Sequence, residues 1–371
     1  MKRLIGFAAV ILLFGLVVVP AQATFTSLYI FGDGISTTTN NPCAGQYYYG
    51  LRRSNGRVWV EVLAQRQGLG ANSTTNVNWS NTTNNWSYYG QYSPNLVANL
   101  NGFNKPSDAA TALFVVWVNN ADFVNDMGII YPSLNVAAWT NAINQSLTNH
   151  WKVITNLYYA KGARTLVMPE AVDITEIPQY NGCPAADKSF IRQRIIDFNT
   201  GFTVILNQAR TSLPGLTIYE PDFFSLLDNM LTNAAAYGLI NMQSGGANTD
   251  VIEDDSLADK SLNGPGTNYI FWDAVDPAAK AHEVMADVAQ QLISPVQISG
   301  ITAFNGSNRL DVTNMPVGLD GCVDGITNLM QTNWVATVNM ASTNTTQSVF
   351  VPASGPLQFY RLRFPYAWTW P

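Results

Sequence analysis

The sequence predicts an α/β protein in three layers, a parallel sheet covered by helices on both faces, followed by a small all-β C-terminal module. Three observations carry this expectation. Between residues 28 and 293, short apolar runs alternate with longer segments of helical spacing, the pattern that builds a parallel sheet from crossover units. The run Ala112-Leu113-Phe114-Val115-Val116-Trp117-Val118 is apolar throughout, as a strand buried on both faces must be. From about Ser294 onward, short alternating runs are separated by Gly, Asn and Pro turns, which is how antiparallel β structure reads. The expected divisions are a leader over 1–23, an α/β domain over 24–294 and a β-sandwich-like module over 295–371.

The first strand, 28–31, runs into Gly32-Asp33-Gly34, a turn that brings backbone amides and side chains to the sheet edge. Asn55-Gly56 then opens a helix with apolar positions at 59, 62 and 63. The stretch 70–90 is rich in Asn, Thr and Ser but carries Trp79, Trp86, Tyr88 and Tyr89. It is expected to be an ordered loop beside the strand ends, its aromatics either packed inward or stacked on sugar rings. The buried strand 112–118 leads to Asn119-Asn120-Ala121-Asp122. A helix over 136–160 ends at Gly162, a strand covers 165–168, and helix 187–213 with strand 216–220 completes another crossover. The loop 243–266 contains Asp250, Glu253, Asp254 and Asp255; a solvated acidic loop and a calcium loop both fit, although the spacing is not that of an EF-hand. A short strand over 269–272 precedes Asp273-Ala274-Val275-Asp276-Pro277 and a helix to 293. The module has strand-like runs at 298–303, 335–338, 348–351 and 359–364. In a sheet of this kind the ligand crevice lies at the carboxyl ends of the strands.

Composition narrows the function. The 371 residues are 47% hydrophobic and only 12% charged, with a net charge of -6. No basic stripe exists to neutralise phosphates, so nucleic acid is excluded as a partner. Lys2 and Arg3, the apolar run 4–19 and Ala21-Gln22-Ala23 form a secretory signal with cleavage after Ala23. The alternative is an uncleaved anchor. Export from a bacterial cell, to the periplasm, the envelope or the medium, is the expectation, with no later membrane span. Of Cys43, Cys183 and Cys322, two can pair in an oxidising compartment. Cys43 with Cys183 is the expected pair, both falling in loops over one sheet edge. No Cys/His spacing suggests zinc, and no cofactor is expected.

Four segments, in this order, resemble the blocks of the GDSL, or SGNH, hydrolases, a family of lipases and esterases with a flavodoxin-like three-layer fold, over about residues 25–293. Phe31-Gly32-Asp33-Gly34-Ile35-Ser36 is similar to the first block, Phe-Gly-Asp-Ser-Leu-Ser, and puts Gly34 in the nucleophile slot. Ser54-Asn55-Gly56-Arg57 with Trp59 resembles the second block in the family's extracellular branch, which implies the Gly56 amide as an oxyanion donor. Asn119-Asn120-Ala121-Asp122 resembles Gly-x-Asn-Asp, so Ala121 takes the oxyanion asparagine slot and Asn120 reaches the site only through a one-residue bulge. Phe271-Trp272-Asp273-Ala274-Val275-Asp276-Pro277 resembles Phe-Trp-Asp-x-x-His-Pro, which retains the acid at Asp273 and places Asp276 in the base slot.

Ester hydrolysis through a nucleophile needs an activated hydroxyl, a base within reach and donors aimed at the oxyanion. The resemblance thus implies a hydrolase scaffold without its ordinary chemistry, a non-catalytic binder of a small acylated, glycan or lipid ligand. One alternative is an active ester hydrolase using Ser36 as a displaced nucleophile; another is adhesion to envelope or polysaccharide through the C-terminal module, which can equally be a structural cap. A further possibility is a carboxylate cluster of Asp33, Asp273 and Asp276, serving acid/base chemistry or a divalent cation, against a capping role for Asp33.

Overall fold

The computed structural model describes residues 25–39, 45–69, 84–330, 332–353, 355, 358–365 and 368–370. The leader, Cys43 and its expected pairing, and Trp79 lie outside them.

Strand β1 (Leu28–Gly32) pairs in parallel with β2 (Leu113–Trp117), β2 with β3 (Thr165–Val167), and β3 with β4 (Thr217–Tyr219). All five residues of β2 are buried, because a parallel strand has neighbours on both edges and side chains on both faces. On the free edge of β1, the Ile30 amide donates to Asn84 O at 2.8 Å and the Trp86 amide to Ile30 O at 2.8 Å. Segment 84–86 thereby extends the sheet beyond β1, so the chain leaves β1 toward one side and returns on the other. Such a reversal opens a crevice above the strand ends.

Helix α1 (Trp59–Arg66) packs on α7 (Ala279–Ile293), and α2 (Ser93–Gly102), α3 (Asn119–Ile129) and α5 (Ala185–Ser212) pack on α4 (Val136–Asn156). Pleating decides which aromatics each group meets. Tyr29 and Phe31, two apart on β1, and Phe114 on β2 all touch Phe103, while Trp117, three further along β2, meets Trp59 of α1 and Phe223 of α6 (Phe223–Thr232). Helix α4 passes into one wider turn over Leu157–Lys161 and stops at Gly162, whose φ of 81° is left-handed.

Two expectations need correction. The helix after Asn55-Gly56 starts only at Trp59, because Asn55 is tied elsewhere: its Oδ1 accepts from the Ala279 amide at 2.8 Å and its Nδ2 donates to Leu262 O at 3.2 Å. Segment 269–272 is not a strand. It makes single bridges, Ile240 with Tyr269 and Phe271 with Pro277, and runs as an irregular buried segment. The loop before it folds into a small hairpin, β5 (Gln243–Ser244) and β6 (Ala247–Asn248).

The last strands form two antiparallel sheets around a separate core of Leu310, Val312, Val323, Val351, Leu362 and their neighbours. One sheet is ordered β11 (Thr346–Pro352), β8 (Ser307–Thr313), β7 (Gln297–Phe304); the other is β10 (Val335–Met340), β9 (Gly321–Ile326), β12 (Phe359–Phe364), β13 (Trp368–Trp370). Arg66 fastens this unit to α1, donating to Val317 O at 3.2 Å while it pairs with Asp287 of α7 at 2.6 Å. Among the described residues no helix is long and apolar enough to cross a membrane.

Candidate functional site

β1 ends in a turn whose geometry follows from its small residues. Asp33 Oδ1 accepts from the Ile35 amide at 3.1 Å and closes a short turn over Gly34–Ser36. A Cβ on Gly32 would lie 2.6 Å from the Ser36 Cβ, so only glycine lets Ser36 fold back beneath the strand. There its Oγ accepts from Trp59 Nε1 at 3.0 Å, and no part of the residue reaches solvent. The Ser36 hydroxyl therefore belongs to the floor under β1 and does not line the strand-end cavity.

Opposite this turn, Asp273 and Asp276 come up from the 269–279 segment. Asp273 Oδ1 accepts from the amides of Val275 and Asp276 at 2.9 and 2.8 Å, and its Oδ2 from Tyr48 Oη at 2.9 Å. Between the two carboxylates sits Arg53, with Nη2 at 3.1 Å from Asp273 and Nε at 2.6 Å from Asp276, its guanidinium 4.4 Å from the centre of the Tyr89 ring. Gly34 faces the same group: a Cβ there would lie 3.2 Å from Tyr89 Cδ2, 3.5 Å from Arg53 Cδ and 3.8 Å from Asp276 Oδ1. Gly34, Asp273 and Asp276 thus meet at the strand ends, around an arginine that motif reading did not single out. A signal for it exists in the adjacent pair Arg52-Arg53, since buried carboxylates need a cation and this chain has few.

Charge at the site follows from burial and from this shared cation. Burial pushes Asp276 well above the usual carboxylate range, the neighbouring Asp273 adds to the effect and Arg53 opposes it. Burial works against the Arg53 charge as well, but Asp276 and Asp273 overcome it and hold the guanidinium protonated. Asp33, buried at the mouth of the turn, is pushed up to about 7, chiefly by desolvation and against the pull of the Ile35 and Ala121 amides.

The third wall is the first turn of α3. The helix begins directly at Asn119, whose Nδ2 donates to Pro169 O at 2.9 Å, so no bulge is needed to bring Asn120 in. Asn120 Oδ1 accepts from the Val172 amide at 2.9 Å, while its Nδ2 is buried without a partner among the described residues. Asn120 and Ala121 both line a cavity of about 290 Å³ together with Asp33, Gly34, Ile35, Tyr89, Tyr92, Val124, Val275 and Asp276. Asp122 lies behind it, accepting from the Ser93 amide at 2.7 Å and from Ser146 Oγ.

Gly56 does not share this cavity, contrary to the role implied for its amide. The Asn55 bonds draw the turn against α7, where a Gly56 Cβ would lie 2.7 Å from Ala279 Cβ, and Gly56 borders a second crevice instead. Neither of the chain's two histidines reaches the strand-end cavity. His282 Nδ1 accepts from the Trp59 amide at 3.2 Å, and burial holds the ring's pKa down to about 3; His150 Nδ1 lies 2.9 Å from Ser146 O, and its ring meets the stacked pair Phe198 and Phe202 edge-on. Among the described residues no group of three His, Cys, Asp or Glu is arranged to hold a metal ion. Asp250 and Asp254 of the acidic loop cap the amides of Glu253 and Ser256.

The family model for GDSL-like lipases and acylhydrolases matches residues 28–289, the whole α/β unit from β1 into α7. The chain belongs to this GDSL family. A GDSL esterase/lipase of Arabidopsis thaliana is 25% identical over 208 residues, covering 52% of this chain and 57% of that protein. The GDSL esterase/lipase APG of the same plant is 24% identical over 213 residues, covering 54% and 58%. The chain thus spans little more than half the length of these curated relatives. Among solved structures, a lipase from a goat rumen metagenome aligns with a TM-score of 0.41 and 11% identity over 72% of this chain and 97% of that one. An acetylxylan esterase from Geobacillus stearothermophilus aligns with a TM-score of 0.40 and 12% identity over 72% and 94%.

Proposed function

We propose that this GDSL family protein is an exported, non-catalytic binder that holds the acyl group of a small glycan or lipid ligand in the strand-end cavity. The observation that carries the reading is Arg53, lodged between Asp273 and Asp276 and against Gly34. In support of this reading, the Arg53 Cδ packs against Gly34 and its guanidinium is ion-paired to the residues that the family resemblance puts in the acid and base slots. Loss of the nucleophile or base of a serine hydrolase costs on the order of 10⁶-fold in turnover, and the remaining donors retain roughly 10³ to 10⁴ over water. The cavity still suits an acyl group. Asn120 Nδ2 offers a donor for a carbonyl, and leaving such a buried donor unmatched costs about 1–3 kcal/mol. Ile35, Val124 and Val275 supply apolar wall beside it.

The purified protein is expected to turn over p-nitrophenyl acetate and butyrate no faster than buffer and to take no label from a fluorophosphonate. Saturable turnover, or an adduct on any serine, refutes the reading. Export is checked on the secreted product, whose first residue should be Thr24.

A second reading concerns the C-terminal module. Phe304 and Phe350 stand about half exposed on β7 and β11 with ring centres 5.5 Å apart, an aromatic surface suited to polysaccharide. A Phe304→Ala/Phe350→Ala variant should lose retention on insoluble glycan if the module attaches the protein there; unchanged retention removes the idea.

A further inference from the structure

Segment 52–66 carries four arginines, and three of them meet a carboxylate. Arg52 pairs with Glu61 at 2.6 Å, Arg53 with Asp276 at 2.6 Å, and Arg66 with Asp287 at 2.6 Å. Arg57 has no carboxylate within ion-pair distance among the described residues; its polar contact is Gln65 Oε1 at 2.7 Å. Burial weakens the hold of Arg57 on its proton, and the carboxylates of Glu61 and Glu283, beyond ion-pair distance, offset only part of that cost.

Arg57 borders the second crevice, about 460 Å³ between the 54–57 turn and the start of α7. Close contact of Gly56 with Ala279 narrows it at one end. Tyr49, Asn263, Thr267, Asn268, Lys280 and Glu283 also line it. Lys280 and Glu283 pair with each other at 3.0 Å, so Arg57 is the cation of the crevice with no ion pair among the described residues. The side chains of Asn263, Thr267 and Asn268 make no hydrogen bond among the described residues. The first turn of α7 adds a positive dipole at the crevice, although its Ala279 amide is already taken by Asn55 Oδ1 at 2.8 Å.

We propose that this crevice binds an acidic sugar, with the carboxylate or sulfate ester on Arg57, hydroxyls on Asn263, Thr267 and Asn268, and the ring beside Tyr49. A simple anion would leave the amides and the aromatic unused, and a neutral sugar would leave the cation unmatched. A planar guanidinium fits both carboxylate and sulfate oxygens. The site is separate from the Gly34 cavity and does not rest on its reading.

Calorimetric titration of the full chain with glucuronate, glucose 6-sulfate, glucose and inorganic sulfate tests this. Saturable binding of one or both acidic sugars is expected, weakened about tenfold or more in Arg57→Gln and several-fold in Asn268→Ala, each variant melting at the wild-type temperature. Glucuronate and glucose 6-sulfate distinguish the two anion sources. Should Arg57→Gln fail to fold, Asn268→Ala and the ligand comparison still decide. The proposal is overturned if neither acidic sugar binds at about ten millimolar, if glucose binds as well as they do, if inorganic sulfate binds as tightly as the sulfated sugar, or if both variants bind like wild type.

Discussion

Replacing Arg53 by methionine is the sharpest perturbation of the strand-end site. It keeps most of the side-chain volume while stripping two buried carboxylates of the cation they share, Asp276 at 2.6 Å and Asp273 at 3.1 Å. Breaking a buried pair by removing one partner typically costs about 3–5 kcal/mol. The cost should depend on pH, with a definite sign. Without Arg53 the folded-state pKa of Asp276 rises further above its unfolded value, so the protonated form favours folding in acid and that contribution is lost as pH rises through the folded value. A tenfold loss of acidity at one carboxyl corresponds to about 1.4 kcal/mol, so a loss of about a hundredfold to a thousandfold at Asp276 reaches the range given. Urea denaturation followed by tryptophan emission reads this out: with a slope of about 3 kcal/mol per molar, the variant midpoint should fall by roughly 1–1.5 M near pH 8 and by clearly less near pH 5. A drop below about 0.3 M near pH 8, or equal drops at both values, would refute the assignment of Arg53 as the buried counterion at this site.

Two further outcomes follow from the buried groups around it. His282 is held neutral, its pKa lowered to about 3, so its contribution is complete above about pH 6.5 and is lost as pH falls from there toward about 3; His282→Gln, which keeps an acceptor for the Trp59 amide, should flatten the acid limb of the melting-temperature profile, and an unchanged limb counts against the assignment. Asp33 is pushed up to about 7, so its stabilising proton is lost as pH rises from about 4 through about 7; Asp33→Asn should match wild type near pH 4 and melt several degrees higher near pH 8, whereas a lower melting temperature near pH 8 would contradict the burial argument.

The long regular elements are legible in the sequence because each carries a single period over many residues. The unbroken apolar run that becomes β2, the twenty-one residues of α4 and the alternation that becomes β7, β11 and β12 need no tertiary information. Segment 84–86 is different: a three-residue edge pairing with β1 leaves no periodic trace. The turn 54–56 is shaped by the bonds of Asn55 to Leu262 and Ala279, more than 200 residues away, and segment 269–272 by single bridges to Ile240 and Pro277, which explains why a local reading makes one a helix start and the other a strand. The meeting of Gly34, Asp273 and Asp276 is visible through the order of the four blocks. Arg53 is not, because its role is set by what the carboxylates lack, and a motif names the residues that are present. Asn120 needs the register of α3, which starts one residue after β2 has ended.

Trp59 joins two of these features. Its indole donates to Ser36, two residues past Gly34, and meets the Trp117 ring at 5.6 Å and 89°. Two indoles so near and so nearly perpendicular, both shielded from water, form a chiral chromophore pair under the strand-end turn. Near-ultraviolet circular dichroism can therefore follow the occupancy of the Gly34 cavity without any attached dye. Trp59→Phe provides the blank, and a ligand that leaves the band untouched has settled without disturbing the Gly34–Ser36 backbone.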